Sequence, residues 1–336
     1  MKDTTHKKYQ LPSEQPRKHI LKVSASTNPH YGKAPHQRSI PELLHSGCVL
    51  VDKPSGPSSH QVTAWVEDIL HLTKAGHGGT LDPKVTGMLP ITLADATKAL
   101  QVLLTAGKEY ICIMKLHKDC SEEKIRNTCE SFVGTITQMP PVRSAVKRVR
   151  RERSIYYLDV LEIKERTVLF RVGCQGGTYI RTLCVDMGKK LGTKAHMDTL
   201  RRTKVGSLYE NTLVTLHDIK DAFISYKEEN DDSQLRQLIH PMEHVLGHVP
   251  KLVIRDSAID ALCHGADLAL PGVVSIDEGI THGDQVAVMS LKGEGVALGT
   301  ALLSTQQILE KDSGKCVCLQ RVLMNKKTYP STWKKS

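Results

Sequence analysis

The sequence contains few aromatic residues and no long hydrophobic stretch. Phe, Trp and Tyr together make up 4% of the 336 residues, too few for the broad stacking platforms with which many proteins bind single-stranded nucleic acid. No apolar run approaches the roughly 18 residues of a bilayer-spanning helix. The N-terminal segment MKDTTHKKYQ lacks the apolar core of a secretory signal. We therefore expect no membrane span and predict a cytoplasmic protein.

Motifs for metals and cofactors are also missing. The nine cysteines include no C-x-x-C pair, which gives a zinc ribbon little support. Neither a phosphate-binding glycine loop nor a dinucleotide fingerprint occurs. We predict no metal site and no cofactor, and we expect reduced, buried thiols.

Basic residues outnumber acidic ones. The chain has 46 Lys and Arg against 36 Asp and Glu, a formal net charge of +10 and a pI near 9.1. This balance favours a polyanionic partner such as nucleic acid, although many basic proteins have none.

Composition changes along the chain divide it into segments. A polar N-terminal segment precedes a globular region, and an acidic stretch (YKEENDDS, 226–233) has the composition of a linker or exposed loop. A second compact region and a short basic tail follow. The predicted divisions are an N-terminal arm at 1–39, a large domain at 40–248, a small domain at 249–325 and a tail at 326–336.

Hydrophobic spacing predicts an α+β fold, because helices and strands are mixed without a regular βαβ rhythm. Short strands with turn signals near the C-terminus predict a small β-barrel with one helix at about 257–264. Pro90 cannot donate to a sheet, so we expect it to open its strand or lie at an edge.

Three helices are predicted: one capped by Ser58 or Ser59 and carrying Val62, Trp65, Val66, Ile69 and Leu70; one capped by Ser121 and carrying Ile125, Cys129, Phe132 and Val133; and one from about Arg181 to Gly192.

The most informative segment is GHGGTLDPKVTGMLPITLADATKAL, residues 76–100. Its glycines give the backbone unusual freedom just before Asp82, which Pro83 restricts. A carboxylate in such a loop is a candidate for nucleophilic or acid–base catalysis. Asp before Pro is also common in ordinary turns, so this segment alone leaves both interpretations open.

Four motifs in order resemble the TruB and dyskerin class of pseudouridine synthases. They are V-L-V-D-K-P-S-G at 49–56, G-G-T-L-D-P-K-V-T-G at 78–87, G-K-E-Y at 107–110 and G-T-Y-I-R-T-L at 177–183. The resemblance covers about 40–325. It implies a catalytic domain with a central mixed or antiparallel sheet, followed by a β-barrel PUA domain that binds RNA. It also implies that the N-terminal arm packs on the PUA domain.

The resemblance also implies a role for each site residue. Asp82 would be the indispensable catalytic residue, acting as nucleophile or base. Tyr110 would stack on a uracil that has left its RNA helix, and Arg181 would orient the Asp82 carboxylate. The remaining substrate-binding candidates are Tyr179, Leu183 and Lys53, the last as a support for the loop. Without the motifs, Tyr110 would be read as a core residue and Arg181 as a surface charge.

Two features have open alternatives. His77 matches a histidine that helps to displace the target base in stand-alone members of the class, yet it is equally well explained as a hydrogen-bonded loop histidine. The segment RSAVKRVRRER (143–153) resembles a mobile loop over the RNA, and phosphate contacts are the natural use of its charge. The alternative is a solvated basic surface. The RNA-binding candidates in this segment are Arg143, Lys147, Arg148, Arg150 and Arg151.

Three hypotheses follow for function. PPVRSAVKRVRRERSIY (140–156), LDPKVTG and CHGADLALPGV (263–273) resemble the dyskerin form, and the chain lacks long lysine-rich tails. This favours the archaeal catalytic subunit of an H/ACA particle with a guide RNA and small accessory proteins. It would act on rRNA and, as a further target, on uridine 55 of tRNA. The alternatives are a stand-alone tRNA pseudouridine-55 synthase and a non-catalytic RNA-binding scaffold.

Overall fold

The structure is a computed structural model that describes residues 10–140 and 149–331. The predicted RNA-binding residues Arg143, Lys147 and Arg148 lie outside the described residues, as do 332–336 of the predicted tail. Across the described part of the chain, no helix is long and apolar enough to cross a membrane.

The larger unit is built on a ten-stranded mixed sheet in the order β11-β2-β4-β9-β5-β8-β7-β6, with β3 paired to β4 and β10 to β9. Its named strands pair antiparallel except for β4 with β9, and this bears out the predicted mixed or antiparallel sheet. The strands are β2 (Gly47–Lys53), β3 (Ala75–His77), β4 (Thr86–Leu93), β5 (Lys108–Leu116), β6 (Gly134–Gln138), β7 (Arg151–Lys164), β8 (Thr167–Cys174), β9 (Ala195–Val205), β10 (Leu208–Tyr209) and β11 (His240–Pro241).

Helices cover this sheet, and the three predicted from spacing are present. In the first, Ser58 is the residue that caps, because its Oγ accepts from the Gln61 N–H at 3.2 Å. One residue of its predicted apolar face, Trp65, is 43% exposed. Gly192 ends the third helix with φ of +75°. The helices are α1 (Ile40–Ser46), α2 (Ser59–Ile69), α3 (Leu100–Thr105), α4 (Glu122–Glu130), α5 (Ile180–Leu191), α6 (Leu216–Ile224) and α7 (Ser233–Leu238).

The acidic stretch at 226–233 does not separate two domains. It contains a helical turn, Ser225–Glu229, that directly continues α6, and it reaches the start of α7. Phe223 of α6 and Leu235 of α7 are buried in one core with α2. The stretch is therefore an exposed connection within the larger unit.

The C-terminal unit is a curled seven-stranded sheet in the order β1-β14-β12-β15-β16-β17-β13. Only β12 and β15 pair parallel among its named strands. One helix that the sequence analysis did not predict, α9, begins after Ser304, whose side chain accepts from the Gln307 N–H. The elements are β12 (Lys251–Ile254), α8 (Asp256–Cys263), β13 (Leu268–Ala269), β14 (Val273–Asp277), β15 (Gln285–Ser290), β16 (Gly295–Ala301), α9 (Thr305–Glu310) and β17 (Lys315–Val322).

The N-terminal segment contacts both units. Leu11 is completely buried, and Glu14 forms an ion pair with Lys204 of β9 at 3.0 Å. Further along, β1 (His19–Leu21) pairs antiparallel with β14 as the first strand of the C-terminal sheet. The segment thus runs from the larger sheet to the smaller one.

The two units share a hydrophobic core. Met88 and Val205 of the larger sheet lie in the same buried cluster as Ala287, Met289 and Leu298 of the smaller one. Burial of this apolar surface stabilises the junction and fixes one unit against the other.

The expectation for Pro90 is wrong. Pro90 is the fifth of the eight residues of β4, opposite Leu50 of β2. The main chain of Leu50 faces away from β4, where its carbonyl accepts from the Val214 N–H at 2.9 Å. On the other side of β4, the partner changes near Pro90 from β3 to β9. The missing N–H therefore falls where pairing is interrupted, in the interior of the sheet.

Candidate active site

Asp82 lies on the loop that connects β3 to β4. The Asp82 carbonyl accepts from the Val85 N–H at 2.9 Å, so the residue also forms a turn. Its side chain is 55% exposed. The turn explanation and the functional one are therefore compatible, because the backbone makes the turn while the carboxylate stays accessible.

Lys53 holds this loop in place from the protein interior. The residue is completely buried, and its Nζ donates to the Pro83 carbonyl at 2.9 Å and to the Pro54 carbonyl at 2.7 Å. The Gly56 N–H also donates to the Pro83 carbonyl, at 2.9 Å. Burial lowers the pKa of the Lys53 ammonium, and the nearby Asp82 charge opposes that shift. Lys53 thus supports the loop that bears Asp82 rather than facing the open cleft.

Ser59 is a second anchor. Its buried Oγ accepts from the Leu81 N–H at 2.8 Å and donates to the Leu81 carbonyl at 3.0 Å. Both main-chain groups of the residue before Asp82 are thus satisfied by one hydroxyl. The sequence analysis treated Ser59 only as an alternative helix cap, and a serine in that context has no local signal for a partner 22 residues away.

Arg181 reaches Asp82 from the first turn of α5. An Arg181 Nη2 donates to Asp82 Oδ2, and the two side chains are 53% and 55% exposed. The interaction joins residues 99 positions apart. An exposed ion pair adds little to folding stability, so its principal effect is to orient the carboxylate.

Gln138 holds the start of α5. Its buried amide accepts from the Tyr179 N–H at 3.0 Å and donates to the Tyr179 carbonyl at 3.1 Å. Tyr179 is the residue that precedes α5 and lies two positions before Arg181. Gln138 was not among the predicted site residues, because nothing in the sequence around it indicates a partner in α5.

Tyr110 lies in the wall beside the loop. It is 8% exposed and belongs to the same core cluster as Leu81 and Leu183. Burial raises the pKa of its hydroxyl, so the phenol is neutral near pH 7. Leu183 is completely buried. It therefore packs behind Tyr110 in the core, whereas Tyr110 keeps 8% of its surface exposed and Tyr179 is half-buried.

His77 lies on β3 rather than on the loop, and its ring meets His60 edge-on at 4.9 Å between centroids. Its Nδ1 is buried and has no hydrogen-bond partner among the described residues. Burial lowers its pKa to about 4, helped by His60 and Arg202. His77 is therefore uncharged near pH 7, and it lies in a strand rather than in a loop.

The described end of the basic segment lies near the start of α5. Arg150 is exposed and Arg151 is half-buried at the start of β7. Arg151 is the register partner of Gln138, which in turn holds Tyr179. Positive charge therefore lies next to the strand that supports the Arg181 helix.

The Asp82 carboxylate is thus accessible, paired with Arg181 and carried by a loop that is held at several points. The neutral Tyr110 lies in the neighbouring core. Such a carboxylate can attack a carbon or accept a proton. No group of three or more His, Cys, Asp or Glu side chains in the described ranges could hold a metal ion.

Models of four domains match the chain. The TruB family pseudouridylate synthase N-terminal domain matches residues 67–180, and the tRNA pseudouridylate synthase B C-terminal domain matches 181–247. A PUA domain matches 250–323, and the DKCLD (NUC011) domain matches 8–63.

Relatives match over nearly the whole chain. A protein named "Probable tRNA pseudouridine synthase B" from Methanopyrus kandleri is 54% identical over 323 residues, 96% of this chain and 96% of its own length. A protein of the same name from Methanosarcina acetivorans is 53% identical over 325 residues, 97% of this chain and 96% of its own. The chain belongs to the TruB family of pseudouridine synthases, which are isomerases that act on RNA.

Two solved structures have the same fold. A chain in the structure of an H/ACA RNP bound to a substrate RNA containing 2'-deoxyuridine has a TM-score of 0.90 and 47% identity, covering 97% of this chain and 100% of that one. A chain of a Cbf5-Nop10-Gar1 complex has a TM-score of 0.93 and 49% identity, covering 96% and 98%. The resemblance and the fold class inferred from the four motifs are confirmed.

Proposed function

We propose that this pseudouridine synthase is the catalytic subunit of an H/ACA particle that modifies rRNA under the direction of a guide RNA. The support is the similarity over almost the full length to chains solved in an H/ACA RNP and in a Cbf5-Nop10-Gar1 complex. Guide RNA and small accessory proteins would be its partners. Nine free cysteines, most of them buried, are compatible with the reducing cytoplasm in which we propose that it works.

Asp82 is the proposed catalytic residue, and the observation that supports this most is its ion pair with Arg181 on an anchored loop. The reaction breaks the bond between uracil N1 and the ribose, turns the base and joins its C5 to the ribose. The Asp82 carboxylate would act as nucleophile or base in these steps, with Arg181 fixing its direction.

The neighbouring residues would hold the uridine. The target base must leave its stack to reach Asp82. Tyr110 would pack on the base, with Tyr179 alongside and Leu183 supporting Tyr110 from the core. His77 would help to displace the target base. Its Nδ1 is buried and has no hydrogen-bond partner among the described residues, so the ring would have to become accessible to reach the RNA. Lys53 would keep its role as a loop support.

RNA phosphates would bind the basic segment. Arg150 and Arg151, with Arg143, Lys147 and Arg148, would neutralise phosphates near the cleft. The C-terminal unit, proposed as a PUA domain over 249–325, would grip the guide RNA. The arm at 1–39 would brace it through β1, and 40–248 would be the catalytic domain, with a basic tail at 326–336.

The decisive experiment measures pseudouridine in a uridine-labelled RNA with the wild type and with Asp82→Asn, with and without a guide RNA and the accessory proteins. The matched control is Asp119→Asn, since Asp119 also forms an exposed ion pair with an arginine, Arg166, at 2.7 Å. We expect guide-dependent product with the wild type and the control, and none with Asp82→Asn.

Other outcomes would favour the other hypotheses. Product on tRNA alone would indicate a stand-alone tRNA synthase, the function that the names of the relatives describe. Binding of guide RNA without product on either RNA, accessory proteins present, would indicate a non-catalytic scaffold. Equal product from Asp82→Asn and the control would contradict the role assigned to Asp82.

A further inference from the structure

Arg202 of β9 is buried without an acidic partner. It is 1% exposed, and no carboxylate in the described ranges forms an ion pair with it. Burying a guanidinium is costly unless its N–H groups are satisfied. Burial lowers its pKa, although an arginine remains charged near pH 7. A buried charge with this cost requires a structural or functional explanation.

The hydrogen bonds of Arg202 go to both ends of the catalytic loop. Its Nε donates to the Met88 carbonyl at 2.8 Å, and its Nη2 donates to the Gly79 carbonyl at 3.0 Å. Gly79 lies three residues before Asp82 and Met88 six residues after it. The Arg202 side chain therefore links the segment that precedes the Asp82 turn to the segment that follows it.

The main chain of Arg202 reinforces this bridge. Gly87 is its parallel register partner, and a Cβ on Gly87 would lie 2.3 Å from the Arg202 carbonyl oxygen. Gly87 has φ of +96°, a conformation that side chains disfavour. The close approach of β4 to β9 at this point thus requires glycine. It brings the Arg202 side chain within hydrogen-bonding distance of the loop.

Arg202 also meets Tyr110 on the neighbouring strand. The two residues are register partners between β5 and β9. The charge of the guanidinium opposes the rise in the Tyr110 pKa that burial causes. The Arg202 side chain therefore donates to the loop that bears Asp82 and lies beside the tyrosine proposed to pack on the base.

We propose that Arg202 is a positioning residue for the isomerisation, holding the Asp82 loop and Tyr110 in one fixed arrangement. The proposal rests on the proposed role of Asp82. Only an arginine supplies several donors in a rigid plane that reaches both carbonyls at once. A lysine at this position would keep the charge but reach fewer of these acceptors.

The test compares Arg202→Lys with Thr203→Val in the full-length chain. Thr203 is the adjacent buried residue, and its hydroxyl donates to Glu109 Oε1 at 2.7 Å without touching the loop. Both changes remove buried hydrogen bonds from β9, so both should destabilise the protein. Hydrogen exchange of the peptide covering 79–88, RNA affinity and the single-turnover rate are measured separately for each.

For Arg202→Lys we expect faster exchange over 79–88, an RNA affinity within about twofold of wild type and a rate about 10- to 100-fold lower, the scale of a small misplacement of reacting groups. Thr203→Val should keep the loop protected and the rate close to wild type. Unchanged loop exchange in Arg202→Lys, or an equal loss of rate in Thr203→Val, would overturn the proposal. If the wild type makes no pseudouridine, the proposed function fails, and the exchange data alone decide whether Arg202 positions the loop.

Discussion

Replacing Gln138 with Met tests how the Arg181 helix is held. The substitution keeps the length and approximate volume of a buried side chain but removes both hydrogen bonds to the main chain of Tyr179. The Tyr179 carbonyl keeps a second donor, because the Leu183 N–H reaches it at 3.0 Å.

The magnitude follows from these contacts. Two lost hydrogen bonds contribute about 0.5–1.5 kcal/mol each. The better packing of the thioether offsets part of this loss. We expect the free energy of unfolding to fall by about 1–2 kcal/mol, together with a lower single-turnover rate, since α5 would present Arg181 less firmly.

Urea unfolding of Gln138→Met and of a matched control, Gln101→Met, measures the difference. The Nε2 of Gln101 is buried and has no hydrogen-bond partner among the described residues. Removing an unpaired polar group costs little, so the control should change stability by less than about 0.5 kcal/mol. If Gln138→Met were no more destabilising than Gln101→Met, the role assigned to Gln138 would be refuted.

Two further predictions concern stability. Glu243 forms a largely buried two-point ion pair with Arg38 at 2.8 Å and accepts from the Gly295 N–H at 2.9 Å. Glu243→Ala should therefore lower the free energy of unfolding by about 3 kcal/mol and separate the unfolding of the two units. A single unchanged calorimetric transition would contradict this. The free energy of unfolding should also fall as the pH drops from 6.5 towards 5. In this range certain histidines bind a proton in the unfolded state but stay neutral when they are buried in the folded state. A melting temperature that does not change over this pH range would exclude the effect. The histidines whose pKa is lowered from 6.5 to about 4 are His77, His240 and His248.

Local patterns predicted α2, α4, α5 and α8, whereas α1, α3, α6, α7 and α9 were not predicted. The spacing of Val62 and Val66 located α2, and Gly192 marked the end of α5, because amphipathic spacing and left-handed caps are short-range features. The ion pair between Asp82 and Arg181 came from the resemblance, since no local rule joins residues 99 positions apart. Its proposed catalytic role remains a prediction.

The unpredicted parts depend on long-range contacts. The charges of Lys53 and Arg202 are buried because main-chain carbonyls of the catalytic loop accept their hydrogen bonds, and a carbonyl has no signature in a sequence. Pro90 was misread for a related reason, because the rule for proline in sheets assumes a continuous partner strand. The interruption beside β4 becomes visible only when β3 and β9 are both in place.

The pairing of β1 with β14 has a consequence for synthesis on the ribosome. His19 and Asp277, 258 residues apart, are joined by a hydrogen bond of 2.9 Å. At about 5–20 residues per second, the first strand of this sheet waits roughly 13–50 s for its partner to be made. During that time its edge is open to other chains. Closure of the C-terminal sheet is therefore a late step of folding, and early chain fragments are the species most exposed to mispairing.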